Sequence, residues 1–238
     1  MTRQLRLQLR RATGHRREDF IVSAANSDAV RAVDAWPAWH GGVLALVGPA
    51  GSGKSHMAQS WAAQAGAIVL EAGAGAERLG ALRGRPVLVE DADRSDGETL
   101  FHLINMAGLP GGRLLLTARS RPGLWPAGLP DLASRLRALT VAELGPPDDV
   151  ILEGVLRKFF RERNIRPYGD VYPYLVRRME RSVPVALALV ERLDEASDAE
   201  HRPVSRALAR QILEENNETA DLFASRLAEG GSSGDNER

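Results

Sequence analysis

Apolar residues are patterned in two different ways along this chain, and the change of pattern divides it. In the first part, short unbroken apolar runs alternate with helix-like stretches. Val43 to Val47, Ala67 to Glu71, Pro86 to Val89 and Arg113 to Thr117 are too short for helices and lack polar alternation. Such runs read as strands buried on both faces, as in a parallel sheet. Leu139 to Leu144 reads as a last strand. Helical spacing fills the intervals at Asp28–Trp36, with Ser27 placed to cap it, and at His56–Ala65, Thr99–Met106 and Asp131–Arg137. Residues 72–85, rich in Gly and Ala, predict little. Gly145-Pro146-Pro147 is a hinge signal. From Asp148 onward the pattern is helical only, over 148–163, 171–181, 184–195 and 203–213. The spacing therefore predicts an α/β core over 15–147 and a small helical domain over 148–213.

Both ends fall outside that scheme. Gln4-Leu5-Arg6-Leu7-Gln8-Leu9 alternates polar and apolar, as an extended peptide does, with Leu5, Leu7 and Leu9 on one side. Residues 1–14 are then either an edge strand or frayed terminus, or a docking peptide whose leucines fill pockets on a partner. Residues 1–20 carry six Arg against Glu18 and Asp19. Residues 214–238 carry seven acids against Arg226 and Arg238 and include Gly-Gly-Ser-Ser-Gly, which predicts a disordered acidic tail.

The strand at Val43–Val47 runs into Gly-Pro-Ala-Gly-Ser-Gly-Lys-Ser, Gly48 to Ser55, and a helix follows. Strand, G-x-x-x-x-G-K-S and helix form the context a phosphate loop requires. A triphosphate needs several backbone N–H groups converging on it, and the chain curls tightly enough only where it lacks Cβ atoms, hence Gly48, Gly51 and Gly53. The helix N-terminus turns its positive end toward the phosphates. Lys54 should reach the β- and γ-phosphates, and the Ser55 hydroxyl should ligate Mg²⁺. Only Lys54 and Lys158 are lysines among 31 basic residues, so Lys stands where a point charge is wanted. The strand at Pro86–Val89 ends in Glu90 and Asp91, the shape of a Walker B element. One carboxylate there would hold Mg²⁺ through water, and the other would orient or activate the attacking water. Two acids after a strand also serve as a helix cap or loop.

The bulk numbers narrow the class. The chain has 238 residues, 44% of them hydrophobic, enough to bury a core. It has no cysteine, which excludes disulfides and thiolate metal sites. No apolar run approaches the roughly 18 residues of a membrane span, and the Arg-rich start lacks a signal-peptide apolar region. A cytoplasmic protein without a membrane partner is expected. The formal net charge is zero, so no direct specific DNA contact is expected.

Taken together these residues resemble the AAA+ ATPases, P-loop NTPases with a parallel-sheet core and a helical lid, and within them the DnaA family. Asp19, Phe20, Ile21, Val22 and Asn26 resemble that family's N-terminal box beside the adenine. Gly48, Pro49, Ala50, Gly51, Ser52, Gly53, Lys54, Ser55 and His56 resemble its Walker A. Leu100–Asn105 resembles the helix after Walker B, and Leu114–Thr117 with Arg121 and Pro122 the strand of sensor 1. Asp131–Leu136 resembles the box that carries the arginine finger, with Arg135 matching the finger; on residues alone Arg135 is also readable as a surface arginine of a short helix. The layout is similar to the Hda type, a regulatory inactivator of DnaA, because the chain ends after the lid and 4–9 resembles the Gln-Leu-x-Leu-x-Leu clamp peptide.

The resemblance implies bound ADP or ATP with Mg²⁺, docking on the DNA polymerase III sliding clamp (the beta subunit) through Gln4, Leu5, Leu7 and Leu9, and stimulation of ATP hydrolysis by DnaA through Arg135. Self-association is left open. The chain departs from the family at three points. Glu90-Asp91 replaces Asp-Asp, with Glu90 in the Mg²⁺ position, Arg119 stands where the sensor 1 acid falls beside Thr117, and Pro184 aligns with the sensor 2 arginine, leaving Arg181 or Arg178 as the nearest substitutes. These departures predict weak or absent intrinsic hydrolysis. Two other readings remain: an autonomous ATPase of helicase-loader type, and a DnaA-like initiator paralogue.

Overall fold

The computed structural model describes residues 15–73 and 79–215. Gln4, Leu5, Leu7 and Leu9 of the docking-peptide reading, and the tail beyond 215, lie outside those residues. Five strands form one sheet: β1 (Val43–Val47), β2 (Ile68–Leu70), β3 (Pro86–Val89), β4 (Arg113–Ala118) and β5 (Val141–Glu143). Their order is β2-β3-β4-β1-β5, with every neighbouring pair parallel. Parallel neighbours cannot be joined by tight turns, so helices supply the crossovers. These are α2 (Lys54–Ala65), α3 (Leu79–Leu82), α4 (Gly97–Ala107) and α5 (Pro130–Ala138), while α1 (Ser27–Asp34) precedes the first strand.

Strand alternation sorts the core into two layers. Val43, Ala45 and Val47, with Val87, Val89, Leu114 and Leu116, pack against Leu100, Leu103 and Ile104 of α4 and Leu132 and Leu136 of α5. The intervening Leu44 and Leu46, with Leu88 and Leu115, pack against Val30 and Val33 of α1 and Met57 and Trp61 of α2. Side chains of a strand point alternately to its two faces. Both faces being covered is why β1 is apolar at every position.

The described residues fall into two compact units. One takes those up to Pro49 together with Gly53–Leu144; the other takes Ala50–Ser52 together with those from Gly145 onward. The second contains α6 (Asp149–Glu162), α7 (Val171–Val176), α8 (Val183–Glu200) and a last helix α9 over 206–215. Asp148 caps α6 by accepting from the Ile151 N–H at 2.9 Å. Leu152, Leu156, Phe160, Leu175, Leu193 and Leu208 are fully buried there.

Several expected boundaries move. Ser27 does not cap α1; it is the first helical residue, and Asn26 holds the cap position without a side-chain bond to the helix. The helix expected over 171–181 ends at Val176, where the sequence turns polar at Arg177 and Arg178. The helix expected to stop at 195 continues to Glu200. Residues 214 and 215 belong to α9 rather than to the acidic tail, because Glu214 pairs with Arg210 at 2.7 Å and Glu215 with Arg192 at 2.8 Å.

Candidate phosphate-loop site

Because β4 lies between β1 and β3, its C-terminal end sits between the glycine loop and the acidic pair. The Gly48 N–H donates to the Ala118 carbonyl at 3.2 Å, and the Asp91 N–H donates to Thr117 Oγ1 at 3.1 Å. Thr117 is thus a buried strap from β4 to the loop after β3. Ligands of open α/β sheets bind outside this edge.

The glycine loop has the backbone its sequence requires. Gly51 (φ +74°) and Gly53 (φ +96°) are left-handed, a region L-residues rarely adopt. A Cβ at Gly53 would also lie 3.2 Å from Phe20 Cε2. The helix starts at Lys54. Lys54 is only 9% exposed, and its Nζ donates to the carbonyls of Gly48 at 2.8 Å and Pro49 at 2.7 Å. Burial pushes the Lys54 ammonium below the ordinary lysine value; Asp91 and Asp93 oppose that shift, and Arg119 adds to it. The Ser52 hydroxyl is shut off from solvent and has no hydrogen-bond partner among the described residues. Ser55 is exposed. A buried cation bonded to two carbonyls and a helix N-terminus are together suited to a polyanion.

The acids divide their work. Glu90 accepts from Gln59 Nε2 of α2 at 3.1 Å. The carboxylates that bear on the charge of Lys54 are instead Asp91 and, less strongly, Asp93. Asp93 Oδ2 accepts from the Arg119 N–H at 3.4 Å, while its Oδ1 is buried with no partner among the described residues. Sequence reasoning missed Asp93 and Gln59. The first was legible only as a third acid two positions past Asp91, and the second is an ordinary helical glutamine until its contact is known. Among the described residues no group of three His, Cys, Asp or Glu side chains could hold a metal ion alone. Mg²⁺ would therefore need Ser55, one of these acids and phosphate oxygens together.

The N-terminal box adjoins α2. Phe20 packs edge-on to His56, with centroids 5.5 Å apart, and His56 Nε2 lies 2.9 Å from the Arg16 carbonyl. Asn26 is buried, donating to the Ile21 carbonyl and accepting from the Ser23 N–H, each at 2.9 Å. Its side chain shapes the loop 21–26. In the second unit, Arg181 bonds Asp149 Oδ1 at 2.6 Å and the Pro147 carbonyl at 3.2 Å, so its guanidinium is occupied at the hinge. Within that same unit the Val183 N–H donates to the Gly51 carbonyl at 3.2 Å.

Arg135 stands apart from this group, on α5. Its Nε donates to Asp131 Oδ2 at 3.3 Å, its Cζ lies 5.0 Å from the Phe101 ring centroid, and the side chain is 41% exposed. It is neither buried inward nor free.

The fold is that of an AAA+ domain: a five-stranded parallel sheet with flanking helices, as in the solved structures it matches. The chain is similar to domain III of the replication initiator DnaA from Thermotoga maritima, with a TM-score of 0.70 at 19% identity, covering 85% of this chain and 97% of that one. It is similar to a Thermotoga maritima RuvB structure, a mutant form, with a TM-score of 0.65 at 16% identity, covering 84% and 71%. A DnaA structure bound to AMPPCP and single-stranded DNA matches with a TM-score of 0.60 at 18% identity, covering 79% and 68%. In sequence, the chain is 29% identical over 125 residues to the chromosomal replication initiator protein DnaA of Thermomicrobium roseum. That match takes in 51% of this chain and 26% of the relative, so the chain spans about a quarter of its length. No family profile matches the chain.

Proposed function

We infer that this chain is a DnaA-type AAA+ regulator that binds ADP or ATP at the glycine loop and supplies Arg135 to a nucleotide held by a neighbouring AAA+ subunit. The observation that carries the reading is the state of Arg135. A guanidinium half in solvent, tied at one side by Asp131 and resting on Phe101, is open to a partner and supports this reading. On a transferring phosphoryl group supplied in trans, such a charge is worth about 10³–10⁵ in rate. Lys54, Ser52 and the N–H groups of the loop would hold the phosphates, and Ser55 with Asp91 or Glu90 would hold Mg²⁺, which when bound neutralises phosphate charge. Phe20 and His56 would flank the base.

The partner in this reading is DnaA, and residues 4–9 would tether the regulator to the sliding clamp. The test is ATP hydrolysis by DnaA, with clamp and DNA, in the presence and absence of this protein. Stimulation that survives in the protein changed at Gln4, Leu5 and Leu7 to Ala, or in Arg135→Ala, would remove the corresponding half of the account. One observation favours an autonomous ATPase instead: Asp91, strapped to Thr117, bears directly on the charge of Lys54. Turnover of ATP by the purified protein alone, lost in Asp91→Asn, decides for that reading.

A further inference from the structure

The two acids after β3 are held by different elements. Asp91 leaves the sheet: its backbone is left-handed (φ +49°), and its N–H is taken by Thr117 Oγ1 of β4 at 3.1 Å. Glu90 still belongs to the sheet, because its N–H donates to the Leu70 carbonyl of β2 at 3.1 Å. Successive side chains of a strand point to opposite faces. Leu88 lies in the layer of Met57 and Trp61 of α2, whereas Val87 and Val89 lie in the layer of α4. Glu90, two positions after Leu88, therefore falls on the α2 face. Gln59 meets it there, its Nε2 donating to Glu90 Oε1 at 3.1 Å.

That bond fixes where the carboxylate stands. Residues four apart on a helix are neighbours on its surface, so Gln59 lies one turn after Ser55, whose hydroxyl opens α2. A carboxylate bonded to Gln59 is held on the side of α2 that carries Ser55. Glu90 Oε2 has no partner among the described residues and is not shut off from solvent. One oxygen is thus anchored and the other is available to a cation. Mg²⁺ demands near-ideal octahedral geometry, and a glutamate has one more rotatable bond than an aspartate to fix before it can meet that demand. An amide is the suitable anchor, since it donates to the carboxylate without cancelling its charge as Lys or Arg would. We infer that Gln59 is a positioning residue, which anchors Glu90 on the Ser55 side of α2 and so makes Glu90, rather than Asp91, the acid that serves the metal. This role rests on the nucleotide reading above and narrows it.

Mn²⁺, which suits the same oxygen ligands and is counted by its EPR signal, is titrated into the full-length protein held in excess over ADP. Gln59→Ala keeps a good helix former at its position, and should leave the melting temperature and the ADP affinity in EDTA at the parent values. The affinity of Mn²⁺ for the ADP complex should fall about tenfold, as when a group behind a metal ligand is lost. Glu90→Gln should lose at least as much. The discriminating background is Glu90→Asp, whose shorter side chain forgoes the bond to Gln59. There Gln59→Ala should change Mn²⁺ affinity less than about twofold, so that the two substitutions do not add. Unchanged Mn²⁺ affinity in Gln59→Ala, full additivity in the double variant, or an equal loss of ADP affinity in EDTA would each overturn the role, the last by showing that Gln59 supports the loop itself. A parent that binds no ADP would strike the nucleotide reading and this role together. A parent whose ADP complex keeps its Mn²⁺ affinity in Gln59→Ala would strike this role alone.

Discussion

Gly53 answers two demands at once, and they have different origins. Its left-handed backbone lets the loop curl, and its missing Cβ lets Phe20 approach. An L-residue in that region costs about 1–2 kcal/mol before any contact is counted. Gly53→Ala is therefore expected to lower stability by at least that much in denaturant unfolding. Gly66→Ala is the control, since it shares the positive φ (+61°) but has nothing within 4 Å of the added carbon. It should cost only the backbone part. The first demand is legible in the sequence, because a phosphate loop is a local steric pattern. The second is not, since Phe20 lies 33 positions away in the chain. The same limit hid the Gln59–Glu90 bond, the bearing of Asp93 on Lys54, and the resting place of Arg135 on Phe101. Residue types announce what a side chain can do, and partners brought by other elements decide what it does.

Elements were legible where one physical cause dominates. β1, β3 and β4 were readable because a strand covered on both faces has to be apolar throughout. Leu46 is fully buried at the middle of that arrangement, and Leu46→Ala should cost about 2–5 kcal/mol in denaturant unfolding. Ends were less legible, since caps and last turns depend on single bonds. The start of α4 at Gly97 rests on Asp96, whose carboxylate accepts from the Thr99 N–H at 2.8 Å. That bond, chiefly, holds the Asp96 carboxyl below the usual carboxylate value. A carboxyl with a depressed folded-state pKa stabilises above its unfolded value and loses that contribution as pH falls through the folded one. Asp96→Ala should thus cost about 0.5–2 kcal/mol at neutral pH. The difference from the parent should shrink in acid, below about pH 4, to what a neutral acceptor at the cap contributes. Asp96→Asn, which keeps an acceptor but no charge, should show a smaller difference from the parent at neutral pH that closes over the same acid range, while its gap from Asp96→Ala should not follow pH. Chemical unfolding of the three proteins across pH separates these outcomes.

At the scale of the whole molecule, the sequence predicts a parallel α/β core followed by helices, but not the order of its strands. The insertion of β4 between β1 and β3 follows from no local pattern. Yet that insertion is what carries Thr117 to Asp91 and Ala118 to Gly48, and so assembles loop and acids on one edge. The consequence is open to measurement through linkage. A ligand that binds only the folded chain stabilises it by about 2.7 kcal/mol at one hundred times its dissociation constant. For chains of this size 1 kcal/mol moves the midpoint by about 2–4 °C, so ADP with Mg²⁺ at that excess should raise it by about 5–11 °C. Lys54→Ala should remove most of the rise while folding normally, since Lys54 is a buried charge whose bonds among the described residues are to the carbonyls of Gly48 and Pro49. Arg135→Ala should keep the rise in full, because Arg135 bonds Asp131 and stacks on Phe101 rather than facing the loop. A rise that Lys54→Ala leaves intact would place the nucleotide elsewhere in the chain. A rise lost in Arg135→Ala would make that arginine part of its own chain's site, and its proposed role toward a neighbouring subunit would fall with it.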